Sequence, residues 1–68
     1  METTFSALLK AERKRNRLTQ QDLALRAGVG LRFVRDVEQG KVTIRLDALN
    51  KVLALFGYHA GPVRITDA

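Results

Sequence analysis

Residues 19–40 read Thr19-Gln20-Gln21-Asp22-Leu23-Ala24-Leu25-Arg26-Ala27-Gly28-Val29-Gly30-Leu31-Arg32-Phe33-Val34-Arg35-Asp36-Val37-Glu38-Gln39-Gly40, and the fold turns on how this stretch divides. Thr19 stands three residues before Asp22, the capping-box spacing, in which hydroxyl and carboxylate each take up a backbone N–H at the start of a helix. Leu23, Ala24 and Ala27 form the apolar stripe of that helix, and Gly28 stops it. Val29 fills a short turn, and the spacing predicts another helix over about Leu31–Gln39, closed by Gly40. Gly30 is acceptable as its cap but lacks the side-chain acceptor of Ser or Thr. Winding this helix at roughly 100° per residue puts Val34, Val37 and Glu38 on one side. Arg32, Arg35, Asp36 and Gln39 fall opposite, with Leu31 and Phe33 at the flanks.

Outward from this pair, Phe5, Leu8, Leu9 and Glu12-Arg13 keep helical spacing, which predicts a first helix over about Thr4–Asn16. Thr43 is placed to cap a fourth helix carrying Leu46, Leu49, Val52, Leu53 and Phe56, and Gly57 ends it. Beyond it Tyr58, Val63 and Ile65 favour a short strand over Tyr58–Ile65. Gly61-Pro62 interrupts that strand, and proline cannot donate to a ladder. The expected fold is all-α, a small helical domain over residues 1–57, with residues 58–68 as a tail holding a short C-terminal β-strand.

The chain has 68 residues, no cysteine and one histidine, His59. So short a chain buries only roughly 60% of its unfolded surface, and without thiols neither disulfides nor thiolate metal ligands can reinforce it. A partner subunit is the remaining route to a larger core. The longest apolar run falls far short of the ~20 residues of a membrane span, so the expectation is a cytoplasmic, nucleoid-associated chain without membrane attachment. Twelve Lys+Arg against seven Asp+Glu leave +5, which suits a polyanionic partner. Four of the five residues Arg13-Lys14-Arg15-Asn16-Arg17 are basic.

Catalysis has no foothold. Ser6 is the only serine and has no nearby base, His59 stands alone, and the carboxylates are scattered among arginines. No catalytic residue, metal site or cofactor is expected. Two short helices joined by Gly28-Val29-Gly30 instead fit a helix-turn-helix, whose second helix enters a DNA major groove. The polar face of the Leu31–Gln39 helix carries the groups that read base edges, arginine for guanine and aspartate for cytosine N4. The same face would equally serve as a solvated helix surface.

Thr19-Gln20-Gln21-Asp22-Leu23-Ala24, Ala27-Gly28-Val29 and Val34 through Val37-Glu38-Gln39-Gly40-Lys41 resemble the XRE-type helix-turn-helix of phage repressors, over about residues 5–57. That resemblance implies a lambda-repressor-like domain. Val34 to Lys41, Arg45-Leu46-Asp47 and Gly57-Tyr58 further resemble the short HipB-type antitoxins that accompany HipA-type kinase toxins. By this resemblance Leu31, Arg32 and Asp36 take base-facing positions with Arg35 beside them. Gln20, Gly30 and Lys41 are placed for DNA phosphates, and Arg17 joins them from the basic cluster with Lys10, Lys14 and Arg15 as further candidates, plain solubility being the alternative role of these four cations. Where many relatives carry Ser or Thr followed by a polar residue, this chain has Gly30 and Leu31. Leu31 can therefore offer only apolar contact, for example to a thymine methyl.

The resemblance also implies that Arg13 pairs with Glu38, tying the first helix to the recognition helix, a role favoured over the alternative of a DNA contact. It further implies that Tyr58, Val63 and Ile65 pair with the same segment of a second copy as a two-stranded lid. The function implied is a homodimeric antitoxin that binds a palindromic operator in double-stranded DNA, autorepresses its operon and neutralises a HipA-like kinase toxin. The alternatives are a stand-alone XRE-type repressor and a protein-interaction module that has lost DNA affinity.

Overall fold

Four helices follow one another in the computed structural model, which describes residues 5–41 and 43–61: α1 (Phe5–Arg15), α2 (Gln20–Ala27), α3 (Leu31–Glu38) and α4 (Leu46–Ala54). α3 packs on both α1 and α2, and α4 packs on α2. The core is one cluster of Leu9, Leu23, Ala24, Val34, Val37, Leu49, Val52 and Leu53. Each helix supplies its apolar stripe to that cluster, and half-buried Leu8, Leu18, Ile44 and Phe56 close its rim. No helix among the described residues is long and apolar enough to cross a membrane.

All four helices terminate in the same pair of hydrogen bonds. After α1 the Leu18 N–H donates to the Arg13 carbonyl at 3.0 Å and the Arg17 N–H to the Lys14 carbonyl at 3.1 Å. Val29 and Gly28 repeat the pattern onto Ala24 and Leu25, Lys41 and Gly40 onto Asp36 and Val37, and Tyr58 and Gly57 onto Leu53 and Ala54. This is the Schellman arrangement, which requires left-handed backbone at the residue just past the helix. Three helices place glycine there, with φ of 72° at Gly28, 81° at Gly40 and 83° at Gly57. α1 places Arg17 there instead, at φ 57°.

The start of α4 differs from the sequence expectation. Thr43 does not cap it; the helix begins at Leu46 with Arg45 as N-cap residue and no side-chain cap. Ile44 is drawn half-buried against the core, so residues 43–45 run irregularly before the helix starts. Arg45 reaches Asp47 in the first turn at 2.7 Å, and a carboxylate there favours the helix dipole.

The all-α class agrees with the expectation, but the short C-terminal β-strand does not. The described residues contain no strand, and Tyr58–Gly61 runs without regular structure. Val63 and Ile65 lie outside the described residues. The destination of the backbone hydrogen bonds gives the physical reason. Tyr58 N–H is spent on Leu53, and the Asn50 side-chain amide takes both groups of Ala60. Its Oδ1 accepts the Ala60 N–H at 2.6 Å, while its Nδ2 donates to the Ala60 carbonyl at 3.0 Å. The Tyr58 and Ala60 N–H groups, held by α4, cannot also donate to a ladder, and Pro62 has no N–H to offer.

Candidate nucleic-acid interface

The site is assembled around α2, its turn and α3. Thr19 Oγ1 accepts the Asp22 N–H at 3.0 Å and an Asp22 carboxylate oxygen accepts the Thr19 N–H at 3.0 Å, so the capping box is complete. These bonds hold the Asp22 carboxyl below its ordinary range, the Thr19 backbone N–H first among the causes. α2 then leaves through Gly28, and Gly30 opens α3 with no side-chain cap bond.

α3 divides sharply into two faces. Val34, Val37 and Glu38 are buried, while Arg32, Arg35 and Gln39 are exposed and Asp36 is half-buried. Leu31 and Phe33 are half-buried where the helix meets the core. The outward row therefore presents guanidinium and carboxylate groups on an eight-residue helix, with the Gln39 amide just past its end. Asp36 is engaged with Lys41, whose ammonium stands 3.5 Å from its carboxylate. Arg32, four residues before Asp36 on the same helix, enters no ion pair among the described residues.

Glu38 is the polar centre beneath that row, at 4% exposure. Arg13 donates to it twice, from Nε at 2.7 Å and from the Nη2 amine at 3.0 Å. Gln20 Nε2 donates a third bond at 3.1 Å. The remaining Arg13 amine caps the Leu18 carbonyl at 3.0 Å, and Ser6 Oγ donates to the Glu38 backbone carbonyl at 2.7 Å. Burial pushes the Glu38 carboxyl up, yet the bonds from Arg13 and Gln20, with the charges of Arg13 and Lys10, overcome this and hold it below its ordinary value. No buried side-chain nitrogen or oxygen among the described residues lacks a partner.

The structure thus brings Arg13, Gln20 and Glu38 into one hub and sets Arg32, Arg35 and Asp36 on the open face above it. Gln20, expected beside DNA phosphates, is half-buried and spends an amide N–H on Glu38. Gly30, Lys41 and Arg17 are exposed. Tyr58 lies away from this set, its hydroxyl donating to Glu12 at 3.3 Å. Sequence reasoning missed Ser6 as a tie between α1 and α3, although it stands two turns before Arg13 and so shares its face. It also missed Asn50, for which no local pattern signals a partner ten residues away.

Arg13, Arg15, Lys41 and Arg45 are in ion pairs, whereas Lys10, Lys14, Arg17, Arg32 and Arg35 enter none among the described residues. Unpaired guanidinium groups on an exposed face suit phosphates and guanine edges, which both accept two parallel N–H bonds. The described residues hold no group of three or more His, Cys, Asp or Glu able to bind a metal ion.

A family model described as Helix-turn-helix matches residues 9–62. The chain is also 45% identical over 53 residues to an uncharacterised HTH-type transcriptional regulator, y4mF, of Sinorhizobium fredii (strain NBRC 101917 / NGR234). That alignment covers 78% of this chain and 70% of the relative.

Proposed function

The chain belongs to the Helix-turn-helix family, and from that membership we propose that it is a sequence-specific transcription regulator that binds operator DNA through α3. The observation that supports this most is the division of α3, whose inner face is locked by Val34, Val37 and Glu38 while Arg32 and Arg35 stand free outside. A helix held rigidly from behind presents its outer side chains at fixed positions, which base readout requires. Arg32 and Arg35 then read guanine edges, Asp36 a cytosine amine, and Leu31 a thymine methyl. Gly30, Lys41, Gln20 and Arg17 contact phosphates. Selection of binding sites from a pool of random duplexes tests the reading: an enriched motif that Arg32→Ala degrades supports it, and no enrichment overturns it.

The finer part of the proposal is that the protein works as a homodimer on a palindromic site and serves as a HipB-like antitoxin to a HipA-like kinase toxin. Support comes from the resemblance of Val34–Lys41, Arg45-Leu46-Asp47 and Gly57-Tyr58 to those antitoxins. Light scattering reads the dimer. A kinase-like neighbour in the same operon, inhibited by this chain in a phosphorylation assay, supports the antitoxin. A chain that binds its operator but meets no such kinase is a stand-alone repressor.

A further inference from the structure

α1 has two polar sides, and they differ in charge balance. On one side Glu12 receives Arg15 at 2.6 Å and the Tyr58 hydroxyl at 3.3 Å, so its charge is neutralised locally. At roughly 100° per residue Lys10 lies on the other side of the helix, with Lys14 one turn further along the same row. Both are exposed, and neither pairs with an acid among the described residues. That row borders the Ser6–Arg13 row, which docks on Glu38 of α3, so it lies on the recognition-helix side of α1. The influence of the Lys10 charge on the Glu38 carboxyl agrees with this placement.

Arg17 follows two residues past the end of α1. It occupies a left-handed position that the other three helices fill with glycine, and its guanidinium is exposed with no partner among the described residues. On α3, Arg35 lies next to the Glu38 row by the same helical rotation, so unpaired positive charge flanks the buried hub on both helices.

We infer that Lys10 and Lys14 join Arg17, already assigned to phosphate above, in a sequence-blind track that follows the phosphodiester backbone flanking the bases under α3. This rests on the DNA-binding reading above and adds to it a division of labour. α3 chooses the sequence, while the α1 track supplies affinity and salt dependence to any duplex. Arg15, the other cation of the Arg13–Arg17 cluster that sequence alone left open, lies on the Glu12 side of α1 and is left out of the track.

The test is anisotropy of a random-sequence DNA duplex titrated with the full chain across a potassium chloride series. One variant combines Lys10→Gln, Lys14→Gln and Arg17→Gln, and a control combines Arg15→Gln with Arg26→Gln; circular dichroism establishes that each is folded. Each phosphate that the protein no longer neutralises flattens log K against log salt by about 0.9. The track variant is therefore expected to flatten by about 2.7 per bound protomer, and the control to stay parallel to the wild type. Equal flattening per charge removed in both variants overturns the track and leaves α1 as a merely soluble surface. A wild-type chain that binds no duplex at any salt overturns the DNA-binding reading itself, which separates the two failures.

Discussion

Arg13 and Glu38, twenty-five residues apart in sequence, meet at 2.7 Å with the glutamate side chain only 2% exposed. The pair joins the first helix to the helix that faces DNA, so its loss is felt in both stability and binding. Leaving one partner of a buried pair uncompensated costs about 3–5 kcal/mol. Arg13→Leu, which strands the Glu38 charge, is expected to unfold at markedly lower urea than wild type. Arg13→Leu with Glu38→Met is expected to recover part of that loss, because no charge remains buried. Urea denaturation of the single and double variants measures this, and strictly additive losses would show the two side chains to be uncoupled.

The same carboxylate predicts an acid limb. Its folded-state affinity for a proton is lowered relative to the ordinary value of 4.5. The unfolded chain therefore binds that proton first as pH falls, and the stabilisation is complete above that value and lost below it. The stability gap between wild type and Glu38→Gln is expected to narrow as pH drops through the range below 4.5, by thermal melts at matched ionic strength. A gap that widens there contradicts the sign.

Arg17→Gly should separate stability from function. Left-handed backbone costs a non-glycine residue roughly 1–2 kcal/mol, and glycine's extra unfolded-state entropy offsets about 0.5–1 of that. The variant is expected to melt higher than wild type while binding a duplex more weakly and with a shallower salt slope. Calorimetry and anisotropy on one preparation read both. A variant that melts lower would mean the Arg17 side chain supports the fold.

Arg32 and Lys41 are predicted to fail differently. Arg32→Ala is expected to cost about 1–3 kcal/mol against the preferred site and to relax choice at one base pair. Lys41→Ala is expected to weaken all sequences alike. Its exposed contact with Asp36 is 3.5 Å long, and such surface pairs are worth about 0–1 kcal/mol, so the melting temperature should hardly move. Equal losses on specific and random duplexes for both variants would remove direct readout from Arg32.

Asn50→Ala tests the clasp on the tail. It leaves the N–H and carbonyl of Ala60 without their side-chain partners, a loss of about 1–3 kcal/mol where water does not replace them. Faster amide hydrogen exchange at Ala60, with exchange in α1 changing less, is the expected signature. Unchanged protection at Ala60 would show that the segment is held by other contacts.

Local chemistry in the sequence determined most of this protein. Thr19 and Asp22 announce a helix start because their bonds span three residues, and Gly28, Gly40 and Gly57 announce helix ends because the left-handed turn suits a residue without Cβ. The two faces of α3 are also readable, since burial at Val34, Val37 and Glu38 follows from a fixed rotation per residue. What tertiary structure alone decided is every choice between partners that the chain brings from afar. It places the Gln20 amide on the Glu38 carboxylate and the Ser6 hydroxyl on the Glu38 carbonyl. It also commits Ala60 to Asn50, and residues 58–61 form no strand although Tyr58 favours one by propensity. Strand propensity measures how a side chain suits a pleated surface. Whether a backbone group is free to join a ladder depends on which other group in the fold has already taken its hydrogen bond.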